Sequence, residues 1–90
     1  MTAPQDNPAA KLGIIAGGGA LPARLAAAAT AAGRDVFIVK LDAHADDPAL
    51  DAYPHTSLRI GAAAKILDRL KSEECRDVVL AGKVARPSFA

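Results

Sequence analysis

The apolar residues of this chain fall into short runs that glycine, proline and charged residues separate. Three of the runs are almost wholly apolar, as strands buried on both faces of a parallel sheet are: "LGIIA" (12–16), "DVFIVKL" (35–41) and "DVVLA" (77–81). A fourth and shorter run, "SLRI" (57–60), ends at Gly61. The pattern therefore predicts four strands.

Two stretches between these strands have helical spacing. Pro22 suits the first turn of a helix and Gly33 suits its C-terminal end. Along this helix one apolar stripe is predicted, made of Leu21, Leu25, Ala28, Ala29 and Ala32. A second helix is predicted from Ala62 to about Glu74, with three inward residues, Ile66, Leu67 and Leu70.

The remaining segments are irregular. Residues 1–10 contain two prolines and no periodicity, and they predict a disordered leader. Residues 42–56 predict a long loop with one helical turn near Pro48. The order strand, helix, strand, loop, strand, helix, strand favours an α/β sandwich with a mainly parallel sheet and right-handed crossovers.

Composition narrows the function classes. The chain has 90 residues, enough for one small domain; alanine supplies 22 of them and aromatic residues only 3%, so the core must rely on close backbone packing. The net charge of +1 gives no electrostatic case for nucleic acid. Cys75 is the single cysteine, which excludes an intramolecular disulfide. Without a signal-peptide pattern or a run of ~20 apolar residues, we expect a soluble cytoplasmic protein.

Chemistry-bearing residues follow three of the predicted strands at their carboxyl ends: Gly17, Gly18 and Gly19 after the first, Asp42 after the second, and Gly82 with Lys83 after the last. Ligands of open parallel sheets bind at this edge. The three glycines also precede a helix N-terminus, which carries unpaired N–H groups and about half a positive charge. We therefore expect a phosphate oxygen to approach the bare glycine amides; the alternative is a tight turn with no ligand.

The glycine motif by itself is only partly specific. "GGGALP" matches G-x-G-x-x-G at Gly17 and Gly19, but Pro22 stands at the third place, and the Gly-Lys-Ser/Thr ending of a P-loop is absent. Lys83 and Arg86 could clamp an anion at the same edge, with exposure to solvent as the alternative.

Residues 42–51 form an acidic segment, and its aspartates have two interpretations each. Asp42 could accept hydrogen bonds from a ribose, or it could be a solvated strand-end or turn residue. Asp46 and Asp47 lie beside His44 and could form a metal pair. Because an aspartate shortly before a proline is more often a turn or helix cap, capping is the favoured interpretation.

Three segments together give the chain a family resemblance. "LGIIAGGGALPARLA", "HADDPAL" and "AGKVARPSF", in this order and spacing, resemble the N-terminal domain of the LpxI-type UDP-2,3-diacylglucosamine pyrophosphatases over residues 11–90. Lys65 also lies where that family tends to carry lysine. The resemblance implies a Rossmann-like three-layer α/β sandwich, of which this chain holds an incomplete, N-terminal part.

The resemblance implies a role in lipid A biosynthesis. Such enzymes hydrolyse UDP-2,3-diacylglucosamine to 2,3-diacylglucosamine 1-phosphate and UMP, and they need a divalent metal, typically Mg²⁺. The expected ligand is UDP-2,3-diacylglucosamine or UDP. The expected substrate-binding residues are Ala16, Gly17, Gly18, Gly19, Leu21, Asp42, Gly82, Lys83 and Arg86.

The family is built of two domains, and the resemblance assigns catalysis to the second. We therefore expect a C-terminally truncated N-terminal domain over 11–90, with the catalytic domain absent, no catalytic or metal-ligating residue in this chain, and no Mg²⁺ bound to it alone. Peripheral contact with the inner membrane and formation of a homo-oligomer stay open. The alternatives are a non-catalytic module for NAD-like nucleotides and a fragment without activity of its own.

Overall fold

The structure, a computed structural model, describes residues 11–83. Its regular elements are β1 (Lys11–Ala16), α1 (Leu21–Ala31), β2 (Val36–Leu41), β3 (His55–Leu58), α2 (Ala63–Ser72) and β4 (Cys75–Ala81), with a 3₁₀ helix at Pro48–Ala52. The four strands, the two helices and the helical turn near Pro48 are thus confirmed. The leader prediction for 1–10 and the Arg86 prediction lie outside the described residues.

All four strands are parallel and lie in the order β3-β2-β1-β4. β1 lies between β2 and β4, so that Ile14 is opposite Ile38 on one side and Val79 on the other. The chain therefore moves outward from β1 to β3 and then crosses back to the other side of β1. The α/β class with a parallel sheet is confirmed.

The core lies on both faces of the sheet. On one face α1 and the 3₁₀ helix cover the sheet, in a cluster that includes Ile14, Ile38, Ala26, Ala29 and Leu50. Because α1 packs through alanines, its backbone can come close to the strands. On the other face α2 packs in a second cluster, made of Phe37, Val39, Leu41, Ile66 and Leu70. The two helices on opposite faces give the molecule three layers.

The predicted helix stripes are partly wrong. In α1 the buried residues are Pro22, Ala26 and Ala29, whereas Leu21 is 58% exposed. In α2 Ile66 and Leu70 are buried as expected, but Leu67 is 57% exposed. Within residues 11–83 no helix is both long and apolar enough to cross a bilayer.

Ion pairs join the amino-end side of the fold. Lys11 Nζ donates to Glu73 Oε1 at 3.0 Å, and Arg69 Nε lies 3.3 Å from Glu73 Oε2. The hydrogen bond from Lys11 holds the pKa of Glu73 below its ordinary value of 4.5, against a partial desolvation that raises it. A carboxylate with a depressed pKa stabilises the fold above its unfolded pKa, and this contribution is lost as the pH falls through the folded value.

We expect Glu73→Gln to flatten the loss of stability in acid. Thermal unfolding midpoints measured from neutral pH down to about pH 3 should fall less steeply for this variant than for the unsubstituted chain. Glu74→Gln is the matched control, because Glu74 is exposed and forms no ion pair within residues 11–83. Equal acid slopes for the unsubstituted chain and Glu73→Gln would contradict the assignment.

Candidate functional site

The exits of β1 and β4 are neighbours at the carboxyl edge, where the strand order reverses. Gly18 N–H donates to the Lys83 carbonyl at 2.7 Å, and Lys83 N–H donates to the Gly18 carbonyl at 2.9 Å. We call this pair of backbone hydrogen bonds the clasp. Gly17 N–H donates beside it to the Ala81 carbonyl at 2.8 Å. The crevice that a doubly wound sheet usually opens at this point is therefore spanned by backbone.

The third glycine of the loop also has a partner. Gly19 N–H donates to Oδ1 of Asp46 at 3.0 Å. All three glycine amides thus donate to protein acceptors, and the expectation that they are open to a phosphate oxygen is wrong. Contact of these glycines with a substrate through other atoms stays a prediction.

Close backbone approach explains the glycines instead. A Cβ added to Gly18 would lie 2.8 Å from the carbonyl oxygen of His44. A Cβ added to Gly82 would lie 2.8 Å from the Gly18 oxygen and 2.9 Å from the Gly17 carbonyl carbon, and Gly82 also has φ +97°. Side chains at these positions would push apart the three chain segments that meet here.

Three carboxylates between β2 and β3 accept hydrogen bonds from protein groups, those of Asp46, Asp47 and Asp51. Asp47 accepts from Ala49 N–H at 2.9 Å and caps the 3₁₀ helix, as the capping interpretation predicts. Asp51 accepts from Lys40 at 2.6 Å, and this bond holds its pKa below 3.8. Between residues 11 and 83 no three His, Cys, Asp or Glu side chains are placed to hold a metal ion.

An open cavity of about 650 Å³ lies beside the glycine loop at the same edge. It is lined by the residues after β2, the residues after β3 and the first turn of α2: Asp42, Ala43, His44, Arg59, Ile60, Gly61, Ala62 and Lys65. We call it the edge cavity. Of the predicted substrate-binding residues that lie within 11–83, it contains only Asp42. The glycine loop, Gly82 and Lys83 meet at the clasp instead.

The edge cavity has an excess of positive charge. Arg59 and Lys65 line it, and Asp42 is the one carboxylate among the lining residues. In the described part of the chain neither cation forms an ion pair. The α2 helix begins here without a side-chain cap, so its positive end adds to the same field. Together these groups favour an anionic ligand.

Arg59 is not among the substrate-binding residues that the sequence predicts. It falls inside the predicted strand 57–60, but β3 is His55–Leu58, and Arg59 and Ile60 leave the sheet to line the edge cavity. An arginine directly after a strand carries no motif, so only the true end of β3 could have revealed it. The family resemblance points to Lys65, with an exposed position on the helix surface as the alternative.

Comparison with known proteins gives two findings. The family model described as "LpxI N-terminal domain" matches residues 11–90. The chain is also 49% identical over 80 residues to the UDP-2,3-diacylglucosamine pyrophosphatase LpxI of Caulobacter vibrioides. That alignment covers 89% of this chain and 28% of the relative, so the chain spans somewhat over a quarter of the length of the protein it matches.

Proposed function

The chain belongs to the LpxI N-terminal domain family, and on that premise we propose that it is the substrate-binding portion of a UDP-2,3-diacylglucosamine pyrophosphatase. In such an enzyme the diphosphate of UDP-2,3-diacylglucosamine is hydrolysed to give 2,3-diacylglucosamine 1-phosphate and UMP. Because the family resemblance assigns catalysis to the second domain, we assign this chain the binding and orientation of the substrate, and no bond-breaking step.

The edge cavity is the observation that carries the proposal. It lies at the carboxyl ends of β2 and β3, the edge at which open parallel sheets bind ligands, and it presents Arg59 and Lys65 to an anion. In the proposal these two cations hold the diphosphate of UDP, with Arg59 able to contact two phosphate oxygens at once. Asp42 accepts from a hydroxyl of the ribose or of the sugar.

The clasp has a supporting role in this proposal. The glycine loop donates its amides to Lys83, Ala81 and Asp46 rather than to the ligand, and thereby fixes the loop that carries His44. His44 also lines the edge cavity. The glycine loop thus positions the His44 side of the edge cavity without contacting the ligand. The same indirect role applies to the other residues of the clasp region, Gly82 and Lys83.

Calorimetric titration of the folded chain with UDP tests the proposal. We expect measurable binding, and we expect Arg59→Ala and Lys65→Ala each to weaken it about tenfold, the cost of one charge-assisted hydrogen bond. Lys71→Ala is the matched control, because Lys71 is an exposed cation at the other end of α2. It should bind UDP as tightly as the unsubstituted chain.

Two results would overturn the proposal. One is the absence of UDP binding at millimolar ligand by a chain that circular dichroism shows to be folded. The other is tighter binding of NAD⁺ than of UDP, which would favour the alternative of a dinucleotide-binding module. A third result, equal weakening of UDP binding by Arg59→Ala and Lys71→Ala, would contradict the placement of the anion in the edge cavity.

A further inference from the structure

β4 is one of the two edge strands of the described sheet. Its first half carries Arg76 and Asp77, but its second half, residues 78–81, is apolar on both faces. Val79 and Ala81 pack into the core on the α1 side. Val78 and Leu80 point to the α2 side and are 45% and 65% exposed. Edge strands that face water usually carry charged residues, whereas strands covered on both faces are continuously apolar. The composition of residues 78–81 is therefore that of an interior strand.

The α2 helix leaves this part of the sheet uncovered. Its buried residues, Ile66 and Leu70, pack with Phe37, Val39 and Leu41, which belong to β2. On the same side of the sheet, Leu80 is opposite Ile15 of β1, which is only partly buried. The exposed Val78 and Leu80 thus extend the α2-side core beyond the edge of the helix.

The handedness of the strand connections indicates which element would cover Val78 and Leu80. From β1 to β3 the strands follow one another in one direction across the sheet, and their connections lie on the α1 face. From β3 to β4 the chain returns in the opposite direction, and its connection, α2, lies on the other face. Parallel strand crossovers are right-handed in nearly every case. A further parallel strand beside β4 would continue in the second direction, so its crossover helix would lie on the α2 face, over Val78 and Leu80.

We propose that Val78 and Leu80 are the docking surface for an amphipathic helix from the region that follows β4 in the longer family members, with a parallel strand after it that pairs with the open edge of β4. The relative from Caulobacter vibrioides supplies such a region, because the aligned residues are 28% of its length and the matching family model is that of an N-terminal domain. This inference does not depend on the proposed ligand.

Thiol labelling tests the inference. Two single-cysteine variants are made in a Cys75→Ala background: Leu80→Cys, and the control Ala27→Cys at an exposed position of α1. Each is made in the 90-residue chain and in a longer protein. The longer protein is the same chain followed by the next about 40 residues of the relative, enough for one crossover helix and one strand. In the 90-residue chain both thiols should react at similar rates. In the extended chain the Leu80→Cys thiol should react at least about tenfold more slowly, with Ala27→Cys unchanged.

Hydrogen exchange provides a second readout that needs no substitution. Amides of residues 75–81 on the open edge of β4 should become protected in the extended chain and not in the 90-residue chain. Equal labelling of Leu80→Cys in both proteins, or equal exchange along β4, would overturn the inference. Protection that appears in the 90-residue chain and increases with its concentration would identify a second copy as the occupant, and would overturn it as well.

Discussion

Gly82→Ala is expected to destabilise the fold by about 3 kcal/mol or more, the combined cost of backbone strain and overpacking. Gly82 has φ +97°, where an L-residue is strained. Its Cβ would also lie 2.8 Å from the Gly18 oxygen and 2.9 Å from the Gly17 carbonyl carbon, and both are backbone atoms that cannot rotate away. Urea unfolding followed by circular dichroism measures the loss.

Two other glycines separate the contributions. Gly33 has φ +87° with nothing within 4 Å of an added Cβ, so Gly33→Ala should cost only the strain, about 1–2 kcal/mol. Gly61 has open space and no such φ, and Gly61→Ala should change stability by less than about 1 kcal/mol. Equal costs for Gly82→Ala and Gly33→Ala would contradict the close approach of the two strand exits.

Leu50→Ala is expected to cost about 2–5 kcal/mol, the range for removing a fully buried leucine side chain. Leu50 has no exposed surface and packs from the 3₁₀ helix into the cluster beneath α1, where it fixes the connection between β2 and β3. The same connection carries Asp46 to Gly19. Urea unfolding of the purified variant measures the effect.

Leu67→Ala is the matched control, since it is the same substitution at a leucine that is 57% exposed. It should cost less than about 1 kcal/mol, because most of this side chain stays in water in the folded state. If both variants lost the same stability, the 3₁₀ helix would be a surface feature without a role in the core.

The strands and their order along the chain are predictable because their signal is local. Runs such as Leu12–Ala16 are apolar at every position and end at glycine, which distinguishes buried parallel strands from helices. The two-residue error at β3 has a physical cause. Apolar character continues through Ile60, but the pairing with β2 ends at Leu41 and Leu58, so the sheet ends while the apolar run does not.

Which face of each helix is buried is less predictable. Of the predicted stripe of α1, Ala29 is buried and Leu25 packs against the core. Leu21 is exposed, and Ala26, which lies outside that stripe, is buried instead. Contact with the flat sheet favours small side chains, which the count of apolar residues along a helix does not reveal. The α2 helix departs from its predicted stripe at Leu67, which is exposed because Ile66 and Leu70 alone cover β2.

The candidate site was predictable in place but not in its contacts. Sequence alone predicts that the residues after β1, β2 and β4 gather at one edge, and the structure brings them there. It could not predict that Gly18 meets Lys83, because a glycine that accommodates a ligand and a glycine that accommodates another strand exit are the same residue. Arg59 could be recognised only once the end of β3 was known.

The clasp joins segments from opposite ends of the described chain, and this sets the order in which the molecule can be completed. β1 is made first during synthesis, pairs early with β2, and must wait for β4 before its other edge is closed. Such distant pairing is slow to form and leaves the first-made strand open to wrong neighbours in the meantime. The nascent chain thus emerges with β1 paired on one side only, and the other side of β1 is closed only after β4 has left the ribosome.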